Sequence, residues 1–189
     1  LMRVFLGELE SCGGAVAVNT DVERISPTQT GYLVSSTVDG VKYEFSCTNL
    51  VNSAGLGAQA VARRIDGFPM MHIPELYLCK GNYFLLHGRS PFNQLIYPLP
   101  DPSGAGLGVH ATIDLGGQVK FGPDVEYVDV EDYQVTEQAL DASYQAIRRY
   151  YPALGDGQLM PGYAGIRPKL QGPGAAPQDF VIQGTETHG

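Results

Sequence analysis

Alternating apolar and polar positions dominate the first part of the chain and predict strands joined by tight turns. The stretches GYLVSSTV (31–38) and VKYEFSC (41–47) both alternate, and the Asp-Gly pair between them (39–40) is a two-residue hairpin signal. Apolar runs at AVAV (15–18) and NLVNSA (49–54) predict two further short strands, the second of them buried. This part of the chain is therefore expected to contain a β-meander.

Apolar positions that repeat with a helical period predict three helices. The first covers the opening segment and stops at Gly13, a residue type that commonly ends helices. The second follows the glycines at 55–57 and runs to about Ile65. The third spans about 136–151, with Thr136 as its N-cap. The 24 glycines and 13 prolines divide the chain into many short elements, which argues against a helical bundle.

Proline and glycine separate several strand-like segments in the second part of the chain. The stretch DGFPMMHIPE (66–75) indicates a linker and a candidate domain boundary. Strands are expected beyond it, at LYLCKGNYFLL, QLIYPLP, GLGVHATIDLGGQVKFG, GYAGIRPKL and DFVIQG. The order is not a continuous βαβ alternation, so we expect an α+β fold with a mixed, mainly antiparallel sheet and flanking helices in this part.

Composition and charge exclude several classes of protein. The 189 residues carry a formal net charge of -8, which argues against a nucleic-acid partner. No run of about 18 apolar residues exists, so no transmembrane segment is expected. Cys12, Cys47 and Cys79 are odd in number and far apart, which favours free core thiols in a reducing compartment. The histidines lack metal-ligand spacing, so no metal site is expected.

Both ends of the chain look interrupted. It opens at Leu1 inside a segment already patterned as a helix, and it closes just after a segment patterned as a strand. We therefore expect a fragment of a longer protein.

The stretch GLGAQA (55–60) matches the G-x-G-x-x-[GA] pattern after a strand and before a helix. A true dinucleotide fingerprint would place a pyrophosphate at that helix N-terminus, but the preceding hairpin and the following Pro-rich segment argue against this interpretation. A flavin-facing or phosphate-facing turn of another kind, and an ordinary helix start, are the alternatives.

Three side chains in strand-like segments are candidates for chemistry. Arg167, in PGYAGIRPKL, is expected to be buried or half-buried, where its forked guanidinium needs a carboxylate from within the chain or from a ligand. Lys80, in YLCKGNYF, needs an anion if it is buried, and otherwise belongs to a solvated face. His110, in GLGVHATID, is either a core histidine or a general base at a sheet-lined pocket.

Taken together, the chain resembles the FAD-dependent oxidoreductases of the D-amino-acid-oxidase type, and within them the L-2-hydroxyglutarate oxidase or dehydrogenase branch. The motifs KGNYF, GVHAT and GIRPK, in that order, carry the resemblance to the branch, and VNSAG carries that to the broader group. The resemblance runs along nearly the whole chain. It implies FAD as cofactor and a division into a partial FAD-binding domain (1–66) and a substrate-binding domain (67–189).

The resemblance also implies where the cofactor lies. The group's dinucleotide fingerprint would precede Leu1 and a second glycine-rich flavin segment would follow Gly189, so GLGAQA is expected to be a later turn near the cofactor. Asn52, Ala54 and Gly55 in this turn are candidate cofactor-binding residues. Val22 matches a position whose backbone meets the adenine in related proteins, although a core strand valine fits the pattern equally well.

For the reaction, the resemblance implies oxidation of a small 2-hydroxy acid, L-2-hydroxyglutarate in particular, to the 2-oxo acid. Arg167 would bind a substrate carboxylate, His110 would accept the hydroxyl proton or orient the substrate, and Lys80 and Tyr163 would supply further polar contacts. The alternatives are an amine oxidase of the glycine or sarcosine oxidase type, and a non-catalytic folded module. The sequence does not specify the electron acceptor. A cytoplasmic location is expected, with attachment to the inner-membrane surface as an alternative.

Overall fold

A computed structural model describes residues 1–99 and 108–188 of the chain. It divides into two compact units: the first contains Leu1–Pro74 and the chain end from Gln183, and the second contains Glu75–Ile182. The predicted division into an FAD-binding and a substrate-binding domain is a statement about function and stays a prediction.

The first unit is built on a three-stranded antiparallel meander. Strands β1 (Thr20–Thr28), β2 (Gly31–Val38) and β3 (Val41–Cys47) lie in that order in the sheet. Asp39 and Gly40 join β2 to β3 with φ angles of 48° and 79°. A turn with two positive φ angles matches the twist of a hairpin, which is why the Asp-Gly pair predicted it correctly.

Two α-helices accompany this sheet near its ends. Helix α1 (Met2–Ser11) precedes it and stops before Gly13, whose φ of 79° ends the helix as predicted. Helix α2 (Ala58–Ala62) follows a 3₁₀ turn at Gly55–Gly57 and is shorter than the sequence predicted. The buried residues Ile25 and Val34 face each other across β1 and β2, and the Ile25 backbone also bridges to Ile65.

The second unit is a five-stranded antiparallel sheet with one long helix. Its strands are β4 (Tyr77–Leu86), β5 (His110–Ile113), β6 (Val119–Gly122), β7 (Glu126–Val128) and β8 (Leu159–Lys169). β4 lies at the centre: it pairs with β8 along one edge and with β6 and β7 along the other, and β5 pairs with β6. The helix is α3 (Glu137–Arg148), and a last short helix, α4 (Thr185–His188), belongs to the first unit.

Helix α3 contributes to the core of the second unit. Its Thr136 cap accepts a hydrogen bond from the Ala139 N–H at 3.2 Å, as the sequence predicted. Ala139 and Ile147 are buried in one cluster with residues of the sheet, namely Phe84, Leu86, Val109, Ala111, Val119, Phe121 and Leu159. We call the side of the sheet that carries Phe84, Ala111 and Phe121 the core face.

The α+β class and the mainly antiparallel sheet are confirmed, whereas several predicted strands are wrong. The runs at 15–18, 49–54 and 179–184 are not strands. Apolar residues form a strand only where a partner offers backbone hydrogen bonds, and none is found for these runs within the described residues. In the run at 94–100, Ile96 alone forms a bridge, with Ala111, and Pro100 lies outside the described residues.

Candidate functional site

The side of the β4–β8 sheet opposite the core face carries most of the residues predicted to act on a substrate. Facing residues in an antiparallel ladder project to the same side, and successive residues alternate. Cys79 faces Arg167 and Gly81 faces Gly165, while Lys80 faces Ile166 on the other side. This side also carries tyrosines from four segments, Tyr77, Tyr83, Tyr97, Tyr127 and Tyr163, and we call it the tyrosine face.

Arg167 lies on the tyrosine face and is exposed. The prediction that it is buried or half-buried is wrong, because β8 is an outer strand of the sheet: β4 pairs with it along one edge only. Among the described residues, no carboxylate forms an ion pair with its guanidinium. Of the two predicted alternatives, an internal ion pair is therefore ruled out within the described part of the chain.

Tyr163 lies four residues before Arg167 on the same face of β8. Its ring stacks on that of Tyr83 with 4.5 Å between centroids and 15° between planes. This contact fixes the ring, while the residue remains 51% exposed. The arrangement leaves Tyr163 able to contact a ligand bound on the tyrosine face.

His110 begins β5 and faces Gly122 of β6, which places it on the tyrosine face as well. The Tyr97 ring lies against the imidazole with 4.1 Å between centroids. By strand spacing, His110 lies about 14 Å across the sheet from β8 and about 13 Å along it from Arg167. A small acid contacts both only if the two side chains reach towards each other.

Lys80 lies on the core face and is not brought together with Arg167. Its side chain is 1% exposed, so the predicted alternative of a solvated face is wrong. The ammonium forms an ion pair with Asp132 at 3.3 Å and donates to the Gln134 carbonyl. The buried lysine thus has the anion that the sequence analysis required, and it comes from the chain itself.

A second polar cluster on the core face was missed by the sequence analysis. Asn82 is fully buried; its backbone N–H and its side-chain amide both donate to Asp124, and the amide also donates to Glu126 at 3.2 Å. The alternation of Lys80 and Asn82 with apolar neighbours in KGNYF is the signal that could have revealed a polar pair inside the core.

Gly81 and Gly165, both on the tyrosine face, differ in whether the surrounding chain leaves room for a side chain. A Cβ on Gly81 would lie 2.7 Å from the Pro123 Cβ, so packing inside the chain requires a glycine there. A Cβ on Gly165 would meet nothing within 4 Å. Gly165 therefore leaves open space between Tyr163 and Arg167 that the described residues do not fill.

In the first unit, three of the four predicted cofactor residues line one cavity. Its volume is about 290 Å³, and Val22, Asn52 and Ala54 contribute to its wall. The remaining lining is mostly apolar and comes from Ile25, Val34, Phe45, Leu50, Val51, Ser53 and Val61. An apolar crevice of this size suits a flat ring system such as adenine, so the residues present fit one part of a dinucleotide.

The cofactor candidates also have partners within the chain. The Asn52 amide donates to the Ala58 carbonyl at 2.8 Å, and its oxygen accepts from the Ala54 N–H. The Val22 carbonyl accepts a hydrogen bond from Arg64. Gly55 has a φ of 57°, a backbone conformation that favours glycine whether or not a ligand is near.

The meander disagrees with a true dinucleotide fingerprint at 55–60. Such a fingerprint needs a parallel βαβ unit, and the strands that precede this turn form an antiparallel sheet. Among residues 1–99 and 108–188, no three His, Cys, Asp or Glu side chains come together as metal ligands would. No helix in these ranges is long and apolar enough to cross a membrane.

Comparison with known proteins assigns the chain to a family. The model of the FAD dependent oxidoreductase family matches residues 1–189. The chain belongs to this family. Two of its relatives are L-2-hydroxyglutarate dehydrogenases: the mitochondrial one of Arabidopsis thaliana, 52% identical over 152 residues, and one of Escherichia coli strain UMN026, 31% identical over 114 residues.

These matches cover much of this FAD-dependent oxidoreductase chain but a smaller share of its relatives. The Arabidopsis match covers 74% of this chain and 31% of the relative, and the Escherichia coli match covers 59% and 26%. Among solved structures, dithionite-reduced L-α-glycerophosphate oxidase from Mycoplasma pneumoniae with FAD bound has a TM-score of 0.70 at 22% identity. That match covers 87% of this chain and 42% of the oxidase, and it supports the fold alone.

Proposed function

We propose that this chain is part of an FAD-dependent enzyme that oxidises L-2-hydroxyglutarate to the 2-oxo acid. The observation that carries the proposal is Arg167: an exposed guanidinium without a carboxylate partner among the described residues, beside the open space at Gly165. The 52% identity to the Arabidopsis L-2-hydroxyglutarate dehydrogenase supports the choice of substrate.

Arg167 binds the carboxylate next to the reacting carbon in this proposal. A guanidinium presents two parallel N–H donors that match the two oxygens of a carboxylate, which fixes both the position and the orientation of the acid. Gly165 leaves room for the end of the substrate that Arg167 binds, and the stacked ring of Tyr163 borders that space. The bound carboxylate is then held beside β8.

His110 accepts the proton of the substrate hydroxyl. The contact with the Tyr97 ring holds the imidazole on the tyrosine face, where it serves as general base. Lys80 keeps a supporting role only: its ammonium is engaged by Asp132 and Gln134 on the core face, so we propose that it stabilises β4 and acts on the substrate indirectly.

The cavity lined by Val22, Asn52 and Ala54, with Gly55 at its turn, is the proposed contact for one part of FAD. The chemistry that the bound flavin supplies is acceptance of the hydride from the carbon that bears the hydroxyl. The electron acceptor that reoxidises the flavin is left open. We propose a cytoplasmic location, with the mitochondrial name of the Arabidopsis relative as the competing possibility.

The test is Arg167→Ala in a protein that carries this chain at the full length of its relatives. We expect KM for L-2-hydroxyglutarate to rise about 100-fold, because a bidentate charge-assisted contact is lost. Steady-state kinetics measure this change. Arg149→Ala is the matched control, since Arg149 is exposed at the end of α3 and makes no side-chain ion pair among the described residues.

Three outcomes would contradict the proposal. Unchanged KM in Arg167→Ala would exclude the carboxylate-binding role. Oxidation of glycine or sarcosine by the unaltered protein, without oxidation of L-2-hydroxyglutarate, would instead support the amine oxidase alternative. If the unaltered protein oxidises neither substrate class at any concentration, a non-catalytic role is favoured.

A further inference from the structure

A second cation lies on the tyrosine face beside Arg167. Lys169 follows two residues later on β8, so its side chain leaves the strand on the same side. It crosses the sheet to β7, where its ammonium lies 5.7 Å from the centroid of the Tyr127 ring. Like Arg167, Lys169 has no ion pair with a carboxylate among the described residues.

Tyr127, which the Lys169 ammonium contacts, lies in the same row of the sheet as Arg167. Cys79 of β4 faces Arg167 on one side and Tyr127 on the other, so the three residues lie in one row across β8, β4 and β7. Two strand spacings separate the backbones of Arg167 and Tyr127 by about 10 Å. Cys79, which lies between them, is 4% exposed.

We propose that Lys169, held over Tyr127, binds the second carboxylate of a five-carbon 2-hydroxy dicarboxylic acid whose first carboxylate is bound by Arg167. This inference rests on the proposed function and adds what distinguishes a dicarboxylic from a monocarboxylic substrate. Lys169 is thus the residue that determines specificity for chain length and for the second charge.

The length of such an acid is of the same order as the backbone spacing of the row. Four carbon–carbon bonds of about 1.5 Å at tetrahedral angles place its two carboxyl carbons about 5 Å apart. A C–O bond of about 1.2 Å and a hydrogen bond of about 3 Å at each end extend the span to roughly 12 Å between the donor nitrogens. A four-carbon or three-carbon acid is shorter and would engage one cation at a time.

Charge supports the same assignment. The chain has 20 acidic and 12 basic side chains and a net charge of -8. Eight of the 12 basic side chains form no ion pair among the described residues, and Arg167 and Lys169 are two of them that share one face of one strand. The Tyr127 ring attracts the ammonium through its negative face but does not neutralise it. The Lys169 charge therefore remains available to a bound carboxylate.

The test compares two substrates in one preparation of the full-length enzyme: L-2-hydroxyglutarate and L-2-hydroxypentanoate, which has the same chain length and no second carboxylate. We expect Lys169→Met to lower the ratio of their kcat/KM values about tenfold, since only the dicarboxylate loses a charged contact. The ratio does not depend on the amount of folded enzyme. Lys169→Arg should restore most of it, and Lys42→Met, which removes an exposed ammonium from β3, should leave it unchanged.

The outcomes separate this inference from the function on which it rests. If the unaltered enzyme does not oxidise L-2-hydroxyglutarate, the proposed function is wrong. If it does, and Lys169→Met keeps the same ratio, the function stands and the role of Lys169 is wrong. A fall in kcat/KM by one factor for both substrates would also overturn it, because it would indicate general damage to the site.

Discussion

Lys80 and Arg167 lie one residue apart along the same β4–β8 ladder, yet only the Lys80 charge is compensated within the described part of the chain. Lys80 faces Ile166 on the core face and has Asp132 and Gln134 as partners. Arg167 faces Cys79 on the tyrosine face and has no such partner among the described residues. Since buried charges require compensation and exposed ones do not, only Arg167 is free to recruit a charged ligand.

Removal of the partner of Lys80 should destabilise the protein more than removal of Lys80 itself. Asp132→Asn leaves an ammonium that is 1% exposed with a carbonyl as its remaining partner, whereas Lys80→Met leaves a carboxylate that is 46% exposed and can be hydrated. Urea denaturation of both variants measures the difference. Asp129→Asn, a change of an exposed acid, is the control, and equal losses in the two variants would contradict the argument.

The same pair should make stability depend on pH in a defined window. The pKa of Asp132 is lowered, first by the hydrogen bond from the Gln134 N–H and then by the Lys80 ammonium. Because the folded pKa lies below the unfolded one, about 3.9, this contribution is fully present above that value and is lost as the pH falls through the folded pKa. The stability difference between the unaltered protein and Asp132→Asn should therefore be constant above about pH 5 and shrink below about pH 4.

At the scale of elements, strand β8 organises the candidate site. Its alternation places Tyr163, Gly165, Arg167 and Lys169 on one side, and its pairing with β4 supplies the stacking partner of Tyr163 and the buried neighbour of Arg167. Because β8 is an outer strand, Arg167 near its end stays exposed and can meet a ligand.

A pair of glycine substitutions in this ladder should separate binding from packing. Gly165→Ala places a methyl group in open space, so we expect stability to hold or to rise by up to about 1 kcal/mol while kcat/KM for L-2-hydroxyglutarate falls. Gly81→Ala brings its Cβ to 2.7 Å from Pro123, so we expect a loss of about 1–3 kcal/mol in stability. Thermal denaturation and steady-state kinetics measure both. Unaltered kinetics in Gly165→Ala would mean that no substrate occupies the space beside Arg167.

How far the sequence predicts these elements depends on how local the signal is. The Asp39-Gly40 hairpin, the Thr136 cap and the stop at Gly13 are set by a few neighbouring residues, and all three are confirmed. The strands predicted at 15–18 and 179–184 depend on distant partners that a local pattern does not contain. The exposure of Arg167 likewise depends on strand order, which places β8 at the outside of the sheet.

The candidate site, too, could be predicted only as far as local sequence patterns reach. The i, i+2 spacing in GIRPK was enough to place Lys169 on the same side as Arg167, and this signal was overlooked. The presence of Tyr127 beneath the Lys169 ammonium was not readable, since it requires β7 and β8 to lie on opposite edges of β4. Lys80 was assigned to the substrate because its face could not be fixed from its own strand alone.

At the scale of the whole molecule, the surfaces of both units indicate that more of the protein belongs against them. In the first unit, the apolar residues of α1 are exposed, among them Met2, Val4, Phe5, Leu6 and Leu9. In the second, Phe180 and Ile182 are almost fully exposed. Apolar patches of this kind are normally covered by further protein, which agrees with the chain spanning 31% of its Arabidopsis relative.

This incompleteness leads to a prediction about the cofactor. The cavity of the first unit measures about 290 Å³, which is at the lower limit of the roughly 300–1,000 Å³ typical of small-molecule sites and too small to enclose a whole dinucleotide. We therefore expect the purified 189-residue chain to retain FAD at well below one equivalent, and the full-length protein to retain about one. Flavin absorbance after gel filtration, set against protein concentration, measures both. A yellow 189-residue chain with stoichiometric flavin would mean that the described residues hold the cofactor by contacts beyond this cavity.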